Sequence, residues 1–173
     1  DTADGIVVFF LSYAEEHLLL TASTAGSYYL YGYKADTGKS TWDTRHPWLN
    51  DNHGTHMQHV AIAGGTAYIE PIGYNIKTGE VVTEKMGRRE GCSAVIATNH
   101  ALIYRGQQRR TAMWDLQSEK VTAWVNLRPS CWLSTITADG LLLAPEGGGG
   151  CSCGGWIETS VCFAPVINMK KGE

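Results

Sequence analysis

The sequence predicts an all-β fold built from repeated antiparallel sheets, and three observations lead to it. A degenerate phrase recurs as Tyr33-Lys34-Ala35-Asp36-Thr37-Gly38-Lys39, Tyr74-Asn75-Ile76-Lys77-Thr78-Gly79-Glu80 and Trp114-Asp115-Leu116-Gln117-Ser118-Glu119-Lys120, its Thr/Ser positions 41 and 40 residues apart. Short apolar runs flank each phrase in matching order, and no segment sustains a period of 3.6 residues. Twenty glycines, against 18% charged residues, suit many tight turns between short strands. A period of about 40–50 residues with one turn phrase per unit describes a β-propeller of four-stranded blades.

The first unit has strands over 6–11, 17–22, 28–33 and 40–44, with a polar break at 13–16. The second repeats them at 59–63, 67–70, 73–76 and 80–84, turning at Gly64-Gly65. The third has 92–97, 101–105, 112–116 and 120–125, turning at Thr98-Asn99. The fourth has 131–137, the turn Asp139-Gly140, 141–146 and 159–165, and then lacks a good outer strand. Asn-Gly-type chemistry at these positions is what a tight hairpin requires. Blades therefore fall at about 1–45, 46–88, 89–126 and 127–168. Four blades with an incomplete last one read as part of a larger ring, completed by self-association or by additional blades, because an open sheet edge invites pairing.

Composition narrows the function classes. A net charge of −3 with no basic stripe argues against nucleic-acid binding, and Arg88-Arg89 and the 105–110 cluster read as solvated loops. No apolar run approaches the ~20 residues of a membrane span. Five cysteines are many for a reducing compartment, which favours an extracytoplasmic, periplasmic or secreted setting.

Strand numbering then gathers chemistry. In a four-stranded blade the segments joining one sheet to the next lie at the same end as the second-to-third loops. His53, His56, His59, Cys92, Cys131, Cys151 and Cys153 all fall at that end. Three imidazoles that converge on a loop, with Gly54 allowing the bend, can hold zinc or copper with an open position, and Asp51 or Glu70 can support them. The alternative reading of the same histidines is as polar loop residues. Cys131 with Cys151 or Cys153 is the easier disulfide, lying within one unit, whereas Cys162 reads as a buried thiol in mid-strand. The run Gly147 to Gly150 lacks the following Lys-Ser/Thr and helix of a phosphate loop. Glu146 and Glu158 flank it as carboxylates, and Trp48, Trp132 and Trp156 fall at strand starts or on the rim.

The run Thr37-Gly38-Lys39-Ser40-Thr41-Trp42 resembles the Thr-Gly-Lys-x-x-Trp core of the quinoprotein-type, pyrroloquinoline-quinone-like β-propeller repeat. Residues 51–59, and 128–132 through 141–146 to 151–153, are similar to an uncharacterised planctomycete-type branch of it. The resemblance implies an extracytoplasmic eight-bladed propeller; some members are quinone-dependent dehydrogenases with bound calcium and others are cofactor-free assembly scaffolds. The dehydrogenases use a disulfide between adjacent cysteines, which this chain lacks, so no catalytic residue carries over. Two functions are expected: a scaffold binding a ligand, metal or partner through the His/Cys-bearing face, or a redox enzyme holding a metal or quinone there. A purely structural arc of a larger protein is the third reading.

Overall fold

The computed structural model describes residues 8–23, 27–47, 59–125, 127–129, 134–147 and 157–165. Fifteen strands in these stretches form four antiparallel sheets, each meandering in sequence order. Sheet 1 contains β1 (Val8–Ala14), β2 (His17–Ser23), β3 (Ser27–Lys34) and β4 (Ser40–Pro47). Sheet 2 contains β5 (Ala61–Ala63), β6 (Thr66–Ile69), β7 (Ile72–Asn75) and β8 (Val81–Thr83). Sheet 3 contains β9 (Ile96–Ala97), β10 (Ala101–Arg105), β11 (Thr111–Asp115) and β12 (Val121–Trp124). Sheet 4 has three strands among the described residues, β13 (Ile136–Ala138), β14 (Leu141–Ala144) and β15 (Val161–Phe163).

The recurring phrase is one turn built three times. Gly38, Gly79 and Glu119 donate their N–H to the carbonyls of Lys34, Asn75 and Asp115, at 2.8, 2.8 and 2.9 Å. All three sit at positive φ (67°, 74° and 55°), which explains Thr-Gly in two units and leaves Glu119 in a conformation that favours glycine. Ala35, Ile76 and Leu116 then donate to Glu16, Gly65 and His100, tying each phrase to the first hairpin of its own sheet. Asn75 and Asp115 close the loop with side-chain oxygens: Asp115 Oδ1 accepts from Ser118 N–H and hydroxyl, which holds its carboxyl below the usual range.

Strand bounds differ from expectation where side chains replace the ladder. β1 runs through Tyr13 to a two-residue turn at Glu15-Glu16, both at positive φ, so the polar stretch there is a tight hairpin. The turn of sheet 3 is Asn99-His100, one residue later than Thr98-Asn99, because Thr98 hydrogen-bonds across it to Ala101. Residues 92–95 carry no strand: Arg89 takes the carbonyls of Gly91 and Ser93, and Ser93 Oγ accepts the Arg105 N–H.

Successive sheets pack face to face. Leu19, Leu30 and Trp42 of sheet 1 meet Ala67, Ile69 and Tyr74 of sheet 2. Tyr68 and Ala63 of sheet 2 then meet Leu102, Ala112 and Trp114 of sheet 3. At full burial each large side chain contributes about 1.5–3 kcal/mol. Trp42 is the clearest link between phrase and packing. Its indole lies across Gly32 and onto Gly79, where a Cβ would stand 2.3 and 2.6 Å from ring atoms, and its Nε1 donates to Ile76 O at 2.9 Å. The equivalent residue of sheet 2, Thr83, reaches Glu119 of sheet 3, which also pairs with Lys85. The outer strands of sheets 1 and 2 thus clamp the turn of the following sheet.

Candidate functional site

Counting from the hairpin turns, Thr21, Glu70, Arg105 and Pro145 occupy the same repeat position, at the inner end of the second strand. This end also carries the connections between sheets. Glu70 and Arg105 are both buried there, with Arg89 and Arg128 from the connecting segments and His46 from the end of β4. Among the described residues, Thr66 alone of the buried polar side chains belongs to the opposite end, which carries the first-hairpin turns and the phrase turns. One end of the molecule therefore holds buried charge and the other holds turns.

Glu70 is the centre of that end. Its carboxylate accepts the Arg89 N–H at 2.5 Å and faces Arg89 Nε at 3.5 Å, with both side chains sequestered from water. The Arg89 guanidinium also donates to the carbonyls of Gly91 and Ser93. Such a pair gains little net stability over apolar packing but is costly to break, by about 3–5 kcal/mol, because the surviving charge stays buried. Arg105 donates from Nη2 to Pro129 O at 3.2 Å, linking sheet 3 to the segment that enters sheet 4.

Tyrosines and a histidine surround the charge. Burial raises the Tyr28 hydroxyl, with Glu70 adding to the rise and Arg89 opposing it. Tyr104 is pushed up to about 12, by burial first and the Glu70 charge second, and Tyr74 also to about 12, by burial and then Glu84. These hydroxyls stay protonated at neutral pH, and that of Tyr74 is within hydrogen-bond reach of His46. His46 bridges sheets 1 and 2, with Nε2 3.1 Å from Glu70 O and Nδ1 2.8 Å from Tyr74 Oη. A carbonyl only accepts, so Nε2 carries the proton and Nδ1 accepts from the Tyr74 hydroxyl. Burial lowers the His46 pKa, with the Glu70 carbonyl partly opposing, and the ring is neutral.

Of the seven residues expected at this end, His59 and Cys92 are described. His59 is exposed, its ring 3.8 Å from that of Phe10 and tilted by 41°; Cys92 is buried. His53, His56, Cys131, Cys151 and Cys153 lie outside the described residues, as do Asp51, Trp48, Trp132 and Trp156. Among the described residues no three His, Cys, Asp or Glu side chains converge in a way that holds a metal. Glu70 is engaged by Arg89.

Two expectations are corrected. Arg89 and Arg105 are buried rather than solvated, because carbonyl acceptors and Glu70 are arrayed around them. Cys162 is exposed rather than buried, because among the described residues no further sheet lies on the outward face of the sheet that contains β15. The charged cluster itself did leave a trace in the sequence. An acid and a base end otherwise apolar strands, Thr66–Glu70 and Ala101–Arg105, at one repeat position.

No protein-family model and no curated protein matches the chain. Among solved structures it is similar to BamB from Moraxella catarrhalis, at 13% identity and a TM-score of 0.54, over 83% of this chain and 44% of that one. The chain thus spans less than half the length of that protein, and at this identity the likeness concerns fold. Together with four sequential antiparallel sheets, the first three stacked face to face, it makes the sheets of this chain the blades of a β-propeller.

Proposed function

We propose that this chain is a binding module of the quinoprotein-like propeller type, working outside the cytoplasm, with its binding surface at the end that carries the sheet-to-sheet connections. The observation that carries this reading is the one-sided collection of buried charge, with Glu70, Arg89, Arg105 and Arg128 at one end and turns at the other. Charges fixed in a rigid frame of strands orient the loops around them, which is what a recognition surface needs. Five cysteines in a chain of this size favour the oxidising setting.

Within that surface, His53, His56 and His59 are the proposed ligands for zinc or copper, their neutral imidazoles suiting both ions. Cys131 with Cys151 or Cys153 is the proposed structural disulfide beside them. Calorimetric titration with zinc and with copper, backed by elemental analysis, tests the metal. One equivalent per chain is expected, abolished in a His53→Ala/His56→Ala double variant. A chain that takes up neither ion ends the metal reading and leaves the binding-module reading to a partner or an organic ligand.

A further inference from the structure

Arg89 and Arg105 turn inward, but Arg88 and Arg110 from the same basic runs line a cleft of about 310 Å³. It lies between the segment that leaves sheet 2 and the face that sheet 3 turns toward that sheet. The loop 106–110, which joins β10 to β11, forms one wall, so the cleft opens at the end that carries the sheet-to-sheet connections.

Small residues create the space. Repeat register makes the pair Tyr104–Ala112 of sheet 3 equivalent to Ile69–Ile72 of sheet 2. Ile72 packs against the core between sheets 1 and 2, whereas Ala112, with Ala123 beside it, stops short and leaves the floor of the cleft. Gly87 and Gly106 bring backbone against this floor. A Cβ on Gly106 would stand 2.8 Å from Ala112 Cβ, and one on Gly87 would stand 2.1 Å from Tyr104 Oη. Tyr104 is 4% exposed and its hydroxyl has no hydrogen-bond partner among the described residues, so a buried donor stands at the back of the cleft.

The wall is held in place by its own hydrogen bonds. Gly106 N–H donates to Arg110 O at 2.8 Å, Glu90 N–H to Arg105 O at 2.7 Å, and Gln108 N–H to Glu90 Oε2 at 2.5 Å. Glu90 also sets the charge of the mouth. Among the described side chains there, Arg88 and Arg110 stand against the carboxylate of Glu90, while Glu70 farther in is engaged by Arg89. That balance suits a ligand with one negative charge rather than two. Guanidinium forks match a carboxylate in shape and donors, and the apolar floor calls for an apolar body behind it.

We propose that this cleft binds a small organic carboxylate, its charged head between Arg88 and Arg110 and its apolar body on Tyr104, Ala112 and Ala123. The assignment names a ligand class for the binding surface proposed above and rests on that reading. A free acid and the C-terminal carboxylate of a peptide share this chemistry.

Titration of the isotope-labelled intact chain with benzoate, followed by amide chemical shifts, tests it. Saturable shifts are expected at Gly87, Arg88 and along 104–112. Benzyl alcohol, which lacks the charge, and inorganic phosphate, which lacks the apolar body, bind at least about tenfold more weakly. Arg110→Gln, at a partly exposed position, weakens benzoate by at least about tenfold and leaves the remaining amide shifts in place. Ala112→Ile gives sheet 3 the side chain that sheet 2 carries at the same position and closes the floor with a similar loss; if that chain fails to fold, Arg110→Gln decides alone. Acetyl-alanyl-phenylalanine, titrated alongside, binds more tightly than benzoate if the natural source is a peptide terminus and more weakly if it is a free acid. No saturable shift with benzoate, or an affinity that Arg110→Gln leaves unchanged, overturns the proposal. Phosphate that binds as tightly as benzoate overturns it in favour of a plain anion patch. Such a failure falls on this cleft alone, because zinc and copper uptake tests the surrounding surface separately.

Discussion

His46 shows how one buried side chain sets a pH dependence. Burial holds its folded pKa below the ordinary 6.5, with the neutral ring donating to Glu70 O and accepting from Tyr74. The unfolded chain then binds more protons than the folded one below pH 6.5, so the contribution is fully present above that value. It is lost as pH falls toward the lowered folded pKa. The urea midpoint is expected to drop on acidification from neutral through this window, and His46→Gln to flatten the drop. An unchanged slope in the variant would assign the effect to another group. Glu70 and Arg89 belong to the same scale: each was visible as a residue type, but only its neighbours make one the partner of the other.

At the scale of the element, the phrase turn is legible because its chemistry is local. Positive φ at the fifth residue after the aromatic selects Gly38 and Gly79, and an acceptor side chain at Asn75 or Asp115 closes the loop. Strand bounds were less legible at 92–95 and at 13–16. There the outcome rests on long-range partners, Arg89 in one case, and on a hairpin through two glutamates in the other. Two substitutions separate local strain from packing. Gly38→Ala meets open space and is expected to cost about 1 kcal/mol from positive φ alone. Gly79→Ala adds collision with the Trp42 indole and is expected to cost about 3 kcal/mol. Chemical denaturation of the two variants checks the difference, and equal losses would remove Trp42 from the account.

For the whole molecule, stability is tied to how the sheets are joined. Sheets 1 to 3 share two apolar seams, while the outward rows of sheets 1 and 4 stand exposed. The two shared seams make sheets 1 to 3 one cooperative unit, so damage to either is expected to lower the stability of the whole array. Leu19→Ala in the first seam and Leu102→Ala in the second are each expected to cost about 2–5 kcal/mol in a single thermal transition. A variant that melts in two steps would break the link.

The sequence by itself determined the repeat, the sheet order and the end of each sheet where its connections run. These follow from turn chemistry and strand alternation, which act over a few residues and recur at a fixed period. Strand counting also led to the expectation that His53, His56, His59 and four cysteines share one end, of which only His59 and Cys92 fall among the described residues. Only the tertiary structure decided that Arg89, Arg105 and Glu70 are buried together, and that Cys162 faces outward. Burial of a charge depends on partners distant in the chain, here 19 residues between Glu70 and Arg89, and no local pattern encodes which carbonyls will surround a guanidinium. The exposed apolar residues of sheets 1 and 4, such as Leu11 and Ile136, have the same origin: exposure depends on what lies alongside a sheet, which no residue type along the strand reports.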